Sequence, residues 1–189
     1  MSKINNNPIM KGLSGMLGDV VVFREQRGQT VMANKPKKRE QLTAHQQTAM
    51  LKFKRATQYA KGQVADPVSK AEYETGISGK INSAYAAALT DCLKGPQVTL
   101  IDTSDYRGNQ GNLIMINAVD NFKVAGVSVE IFTGANELVE KGSAIADPAN
   151  VHAWSYAATA TNGQLSGSKI VVKAKDKPNN ITVKELVLA

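Results

Sequence analysis

Residues 113–132 read LIMINAVDNFKVAGVSVEIF. Ile114, Ile116 and Ala118 alternate with Met115 and Asn117, and beyond Asp120-Asn121 the alternation restarts, with Val127, Val129 and Ile131 against Ser128, Glu130 and Phe132. A period of two puts every second side chain on one face of a pleated strand. This stretch therefore reads as two strands, each turning one face to a core. Working outward, the same period returns in Val98–Ile101, Leu138–Glu140, Trp154–Ala160, Ile170–Lys175 and Val183–Leu188. Turn formers separate the runs: Arg107-Gly108-Asn109, Gly134-Ala135-Asn136, Asp147-Pro148, Asn162-Gly163 and Pro178-Asn179-Asn180. Seven short strands over residues 97–189 are the pattern of an immunoglobulin-like antiparallel β-sandwich. Trp154 is the expected core residue between its sheets. A single cysteine, Cys92, excludes an internal disulfide, so such a sandwich rests on packing.

Upstream of Gly95-Pro96 the period is helical. Thr43 and Gln46 have the spacing of a capping box, with Leu42 as a staple residue. Ala49, Phe53, Ala56 and Ala60 then mark one helix face, which ends near Gly62. Asp66-Pro67 opens a short second helix to about Glu74. A third runs from about Ile81 to Leu93, with Cys92 expected as a small core residue. Earlier still, Val20–Arg24 and Thr30–Ala33 flank the loop Glu25–Gln29, a β-hairpin that Pro36 closes. The chain thus reads as α+β: an N-terminal arm, β-hairpin and small helical block over 1–95, then the sandwich over 97–189.

The segments INAVDNFKVAGVSVEIFTGANELVEKGSA, WSYAATA and IVVKAKDKPNN, with the closing A-x-D-x-P-x-N turn, resemble bacterial immunoglobulin-like or fibronectin-III-like modules. KGLSGMLGDVVVFR, the following Lys-Pro and LTAHQQ resemble the start of uncharacterised bacterial and prophage-type proteins. The first resemblance implies a fold; neither implies a catalytic residue.

Charge divides the chain unevenly. Residues 1–40 hold eight basic and three acidic side chains, residues 41–95 seven and four, and residues 96–189 eight and nine. The net +7 belongs to the first half, and halves of different character fit two modules. No run approaches the ~18 apolar residues of a membrane span. The opening MSKINNNPIM lacks the apolar core of a cleavable secretory leader, so a cytoplasmic or particle-associated protein is expected.

Most chemistry is disfavoured. His45 and His152 lie far apart, with no CxxC or HExxH, so no zinc site is expected. Asp102, Asp105, Asp120, Asp147 and Asp176 fall at strand ends and turns, where calcium ligands can gather, but no DxDxDG loop occurs and Asp is a common turn former. Gly12-Leu13-Ser14-Gly15 falls one residue short of a nucleophile elbow, and the surrounding glycines lack the phosphate-loop order. The reading is of a non-enzyme without cofactor, metal or small-molecule substrate.

Two binding roles remain. A two-stranded hairpin is marginal alone, so Val20, Val22, Phe23 and Met32, extended along the arm by Ile9, Leu13, Met16 and Leu17, form a candidate self-association surface. The expected protein is a homo-oligomeric structural subunit of a filament, virion-like particle or surface layer. The alternative is nucleic-acid binding through Lys35, Lys37, Lys38, Arg39, Lys52, Lys54 and Arg55, whose clustering supplies a basic footprint. A carbohydrate module would need exposed aromatics such as Tyr106, Phe122 or Phe132, which are few and scattered.

Overall fold

The structure is a computed structural model that describes residues 2–3, 10, 12–26, 28–35 and 41–188. It is α+β, with three helices and three antiparallel sheets, and divides into a unit of residues 1–47 and a unit of residues 48–189. This division falls well before Pro96. The helices share a unit with the sandwich because they pack on it, as detailed below.

The first unit is a four-stranded sheet in the order β1 (Ser2–Lys3), β4 (Gln29–Asn34), β3 (Val21–Gln26), β2 (Gly15–Leu17). The hairpin β3–β4 pairs from Val21↔Asn34 to Gln26↔Gln29. Its loop is thus shorter than the expected Glu25–Gln29, and Gly28 takes φ 73° there. The arm does not stand free. Gly15–Leu17 pairs with Val21–Phe23, and Ser2–Lys3 pairs with Val31–Met32. Gly18, at φ 57°, lets the chain reverse between β2 and β3.

Helix α1 (Ala44–Ala65), most of which belongs to the second unit, begins as the capping box requires: Thr43 N–H donates to Gln46 Oε1, and Gln46 N–H donates to Thr43 Oγ1. It runs past Gly62 and ends only at Asp66-Pro67. Of its expected face, Ala56 and Ala60 are buried while Ala49 and Phe53 are exposed. Helix α2 (Pro67–Glu74) has Asp66 as N-cap, its carboxylate accepting from Ser69 N–H. Helix α3 (Ala84–Leu93) starts three residues later than the pattern suggests, because Ser83 caps it through Ala86 N–H while Ile81 bridges to Ser78.

The sandwich has eight strands. One sheet runs β5 (Gln97–Asp102), β6 (Leu113–Val119), β10 (Ala153–Ala157), β9 (Ile145–Ala146); the other runs β12 (Ile181–Val187), β11 (Lys169–Asp176), β7 (Val124–Phe132), β8 (Leu138–Ser143). The chain changes sheet after β6, β8 and β10, the connectivity of an immunoglobulin-like sandwich. Register places Ile116 opposite Trp154 and Val172 opposite Val129. Ile114, Ile116, Ala118, Val127, Val129, Ile131, Trp154, Tyr156, Ile170, Val172 and Ala174 form one buried core, the alternating set read from the sequence. Strand β10 stops at Ala157, short of Ala160: Ala158 N–H still donates to the Asn112 carbonyl oxygen, and the two amides after it turn to a side chain. Thr159 N–H and Ala160 N–H donate to Glu140 Oε2, as does Tyr156 Oη at 2.9 Å.

Two truncations separate core from surface. Ile131→Ala removes a wholly buried side chain and is expected to cost about 2–5 kcal/mol in urea unfolding. Ile145→Ala, at a side chain 73% exposed, should change it by less than about 0.5 kcal/mol. Gly108 takes φ 83°, and a Cβ there would lie 2.5 Å from the Asn162 carbonyl oxygen. Gly108→Ala is therefore expected to lower the unfolding midpoint visibly, by a loss on the order of 1–3 kcal/mol.

Candidate functional site

Helix α3 buries Ala84, Ala87, Ala88 and Asp91. Steps of three, one and three residues place these four on one face. The stripe that carries the alanines inward therefore carries a carboxylate inward with them, and Asp91 is wholly buried. An ionised group there needs partners. Tyr73 of α2 donates its hydroxyl to Asp91 Oδ2 at 2.6 Å, and Tyr59 of α1 lies 2.7 Å from the Tyr73 oxygen. With its proton committed to Asp91, Tyr73 accepts from Tyr59. Burial raises both phenols, Tyr59 to about 12.

The sandwich brings two more carboxylates to the same place. Asp120 lies in the β6–β7 connection, and Asp176 ends β11, where the register shifts after Lys175. Asp176 is wholly buried and accepts from Asn180 N–H at 2.6 Å and from Asn180 Nδ2 at 2.7 Å. Asn180 Nδ2 also reaches the carbonyl oxygens of Asp91 and Cys92, each at 3.3 Å. Asp91, Asp120 and Asp176 each offer an oxygen within 4.8 Å of the others. Asp91 Oδ1 and Asp120 Oδ2 are buried without a hydrogen-bond partner among the described residues. Among the described residues none of the salt bridges includes any of the three. Burial pushes the Asp91 carboxyl above its usual range, against the Tyr73 hydrogen bond and helped by the Asp120 and Asp176 charges. Asp176 is raised too, chiefly by burial and against its bonds from Asn180. Among the described residues these three are the one group of three or more acidic, histidine or cysteine side chains close enough to share a metal ion.

An apolar and ionic frame surrounds the cluster. Phe122, two residues after Asp120, stacks on Tyr73 with ring centroids 4.4 Å apart. Gly76 permits this approach, since a Cβ there would sit 2.9 Å from the Phe122 ring. The Lys177 ammonium lies 4.7 Å from the centre of the Tyr73 ring and hydrogen-bonds Glu72, which also pairs with Lys123 at 3.6 Å. Lys177 holds the Glu72 carboxyl below its ordinary range. Asp120 and Phe122 also line a cleft of about 550 Å³, together with Glu72, Lys123, Asp147 and His152.

The residues singled out from sequence are distributed as follows. Of the self-association set, Leu13, Met16, Leu17 and Val20 are exposed, Val22 and Met32 are half-buried, and Phe23 is buried; Ile9 lies outside the described residues. Of the basic set, Lys37, Lys38 and Arg39 lie outside them too, while Lys35 is ion-paired with Asp19 at 2.7 Å. Lys52, Lys54 and Arg55 are exposed on α1, where helical geometry turns Lys54 away from the other two. Asp102 and Asp147 serve as turn formers, accepting from Ser104 and Ala149 N–H respectively. Tyr106 is buried and Phe122 is stacked, so neither is an exposed platform for sugar. Cys92 is half-buried, and burial raises its thiol despite nearby Arg55. Asp91 went unnoticed in the sequence. Its signal was a charged residue in phase with Ala84, Ala87 and Ala88.

No protein-family model matches the chain, and no curated protein matches it. Among solved structures, it is similar to CopC from Methylosinus trichosporium OB3b, at 13% identity and TM-score 0.36, over 48% of this chain and 87% of that one. It is also similar to a tetra-tandem repeat in the extending region of a large adhesion protein, at 16% identity and TM-score 0.33, over 51% of this chain and 24% of the other.

Tyr73→Phe removes the only hydroxyl donor to Asp91 Oδ2 among the described residues while keeping the ring stacked on Phe122. It is expected to cost about 1–3 kcal/mol in chemical denaturation, the penalty of a buried acceptor left without its donor.

Proposed function

We propose that the protein is a non-catalytic structural subunit that associates with copies of itself through its N-terminal sheet. The observation that carries this is apolar surface on both faces of that sheet. Directly paired residues of an antiparallel ladder share a face. By register, Leu17, Val21, Phe23 and Met32 therefore lie on one side, and Met16, Val22, Ala33 and Val31 on the other.

A soluble antiparallel sheet ordinarily keeps one face apolar and gives the other to water. Here the side chains at the β2 edge stay in solvent: Met16 is 57% exposed, Leu17 68% and Val20 68%. Among the described residues strand β2 is also an edge of the sheet, the place where a further strand can pair. Because the arm is paired within its own sheet, the contact is of whole edge with whole edge, not of a detached strand donated to a neighbour. Two β2 edges meeting this way make a two-fold contact, and unlike surfaces meeting make an extending array.

Light scattering coupled to size-exclusion chromatography tests the reading on the full chain. The parent is expected to run as an oligomer whose mass grows with concentration. The double variant Met16→Lys, Leu17→Lys is expected to run as a monomer that still unfolds cooperatively, since both side chains are exposed, with a midpoint that no longer depends on concentration. A parent that stays monomeric at high concentration overturns the proposal, as does an oligomer that the double variant leaves intact.

A further inference from the structure

We propose that Asp91, Asp120 and Asp176 form a binding site for a hard divalent cation, best matched by Ca²⁺, that ties helix α3 to the sandwich. The first ground is convergence from three separate segments: the end of α3, the β6–β7 connection and the end of β11 place oxygens within 4.8 Å of one another. Two oxygens on opposite sides of a Ca²⁺ ion are separated by roughly twice its 2.3–2.6 Å bond length, so oxygens within 4.8 Å of one another are near enough to share one ion.

The second ground is independent of the clustering. Asp91 is wholly buried, yet among the described residues its Oδ1 has no hydrogen-bond partner, and neither has the buried Oδ2 of Asp120. Buried polar atoms are nearly always satisfied, and with both carboxyls ionised neither oxygen can donate to the other. A cation answers both. The donor set is oxygen only, the preference of hard ions and not of copper or zinc.

The surroundings fit the same reading. Tyr73 Oη holds Asp91 by Oδ2 and leaves Oδ1 free, while Asn180 grips both oxygens of Asp176. These are positioning residues of the kind that orient carboxylate ligands around a metal. Asp120 is only half-buried and lines the 550 Å³ cleft, which gives an ion a way in. Three carboxylates against one divalent ion also leave far less uncompensated charge than three carboxylates alone.

The test uses the full chain after dialysis against chelator, with Ca²⁺ alone as titrant in calorimetry and Tb³⁺ alone as a luminescent stand-in. One Ca²⁺ per chain is expected, with a melting temperature that climbs with Ca²⁺ concentration. Tb³⁺ emission excited through the nearby tyrosines should appear and be quenched by added Ca²⁺. Asp120→Asn keeps the side-chain shape at a half-buried position and is expected to weaken Ca²⁺ binding at least tenfold, whereas the exposed Asp105→Asn leaves it unchanged. Absence of Ca²⁺ heat and of tyrosine-excited emission at millimolar metal overturns the site and assigns the carboxylates to shared protons. Binding that survives Asp120→Asn at full affinity overturns it as well. Neither result bears on self-association, which is read from a different unit.

Discussion

A wholly buried carboxylate on an otherwise alanine-lined helix face is the constraint around which the second unit is organised. Ala84, Ala87 and Ala88 let α3 seat closely, and Asp91, riding on the same stripe, then requires donors that its own helix cannot give. Those donors come from outside: the Tyr73 hydroxyl on α2, itself linked to Tyr59 on α1. The sandwich side contributes Asn180, which bonds the Asp91 backbone carbonyl and the Asp176 carboxylate with one amide. A purely apolar seam would tolerate sliding. This one is directional, because each group has a particular partner.

The frame around that network explains why helices and sandwich count as one unit. Phe122 leaves the β6–β7 connection to stack on Tyr73, and Lys177 leaves the β11–β12 turn to cover the same ring and bond Glu72. Tyr73 thus meets an aromatic ring, an ammonium, a phenol and a carboxylate, and is itself wholly buried. The N-terminal sheet is built on different terms, with short edge strands and apolar side chains on both faces.

Much of this was legible in the sequence, and the parts that were not share a physical reason. Period-two alternation identified the inward faces of β6, β7, β10 and β11, since burial on one face writes itself into every second residue. The Thr43–Gln46 box and Asp66-Pro67 marked two helix starts, since capping is local chemistry. Strands β1, β2 and β9 are two or three residues long and exist through pairing alone, so no periodicity could announce them. The helices' attachment to the sandwich was invisible for the same reason: Glu72 with Lys177, or Asp91 with Asn180, are contacts between residues remote in sequence. Of the three clustered carboxylates, Asp120 and Asp176 stood out as strand-end acids. Asp91 is hidden by its helix, where a polar residue among apolar ones carries no sign, beyond its phase, of which face it takes.

The turn joining β11 to β12 carries a consequence for how the chain is made. Lys177 and Asn180 sit on that turn and hold residues of α2 and α3 synthesised far earlier. During translation the helical block emerges long before its latch. The latch closes only when β11 and β12 have met around that turn, so chain order adds the hold on α2 and α3 after the helices themselves.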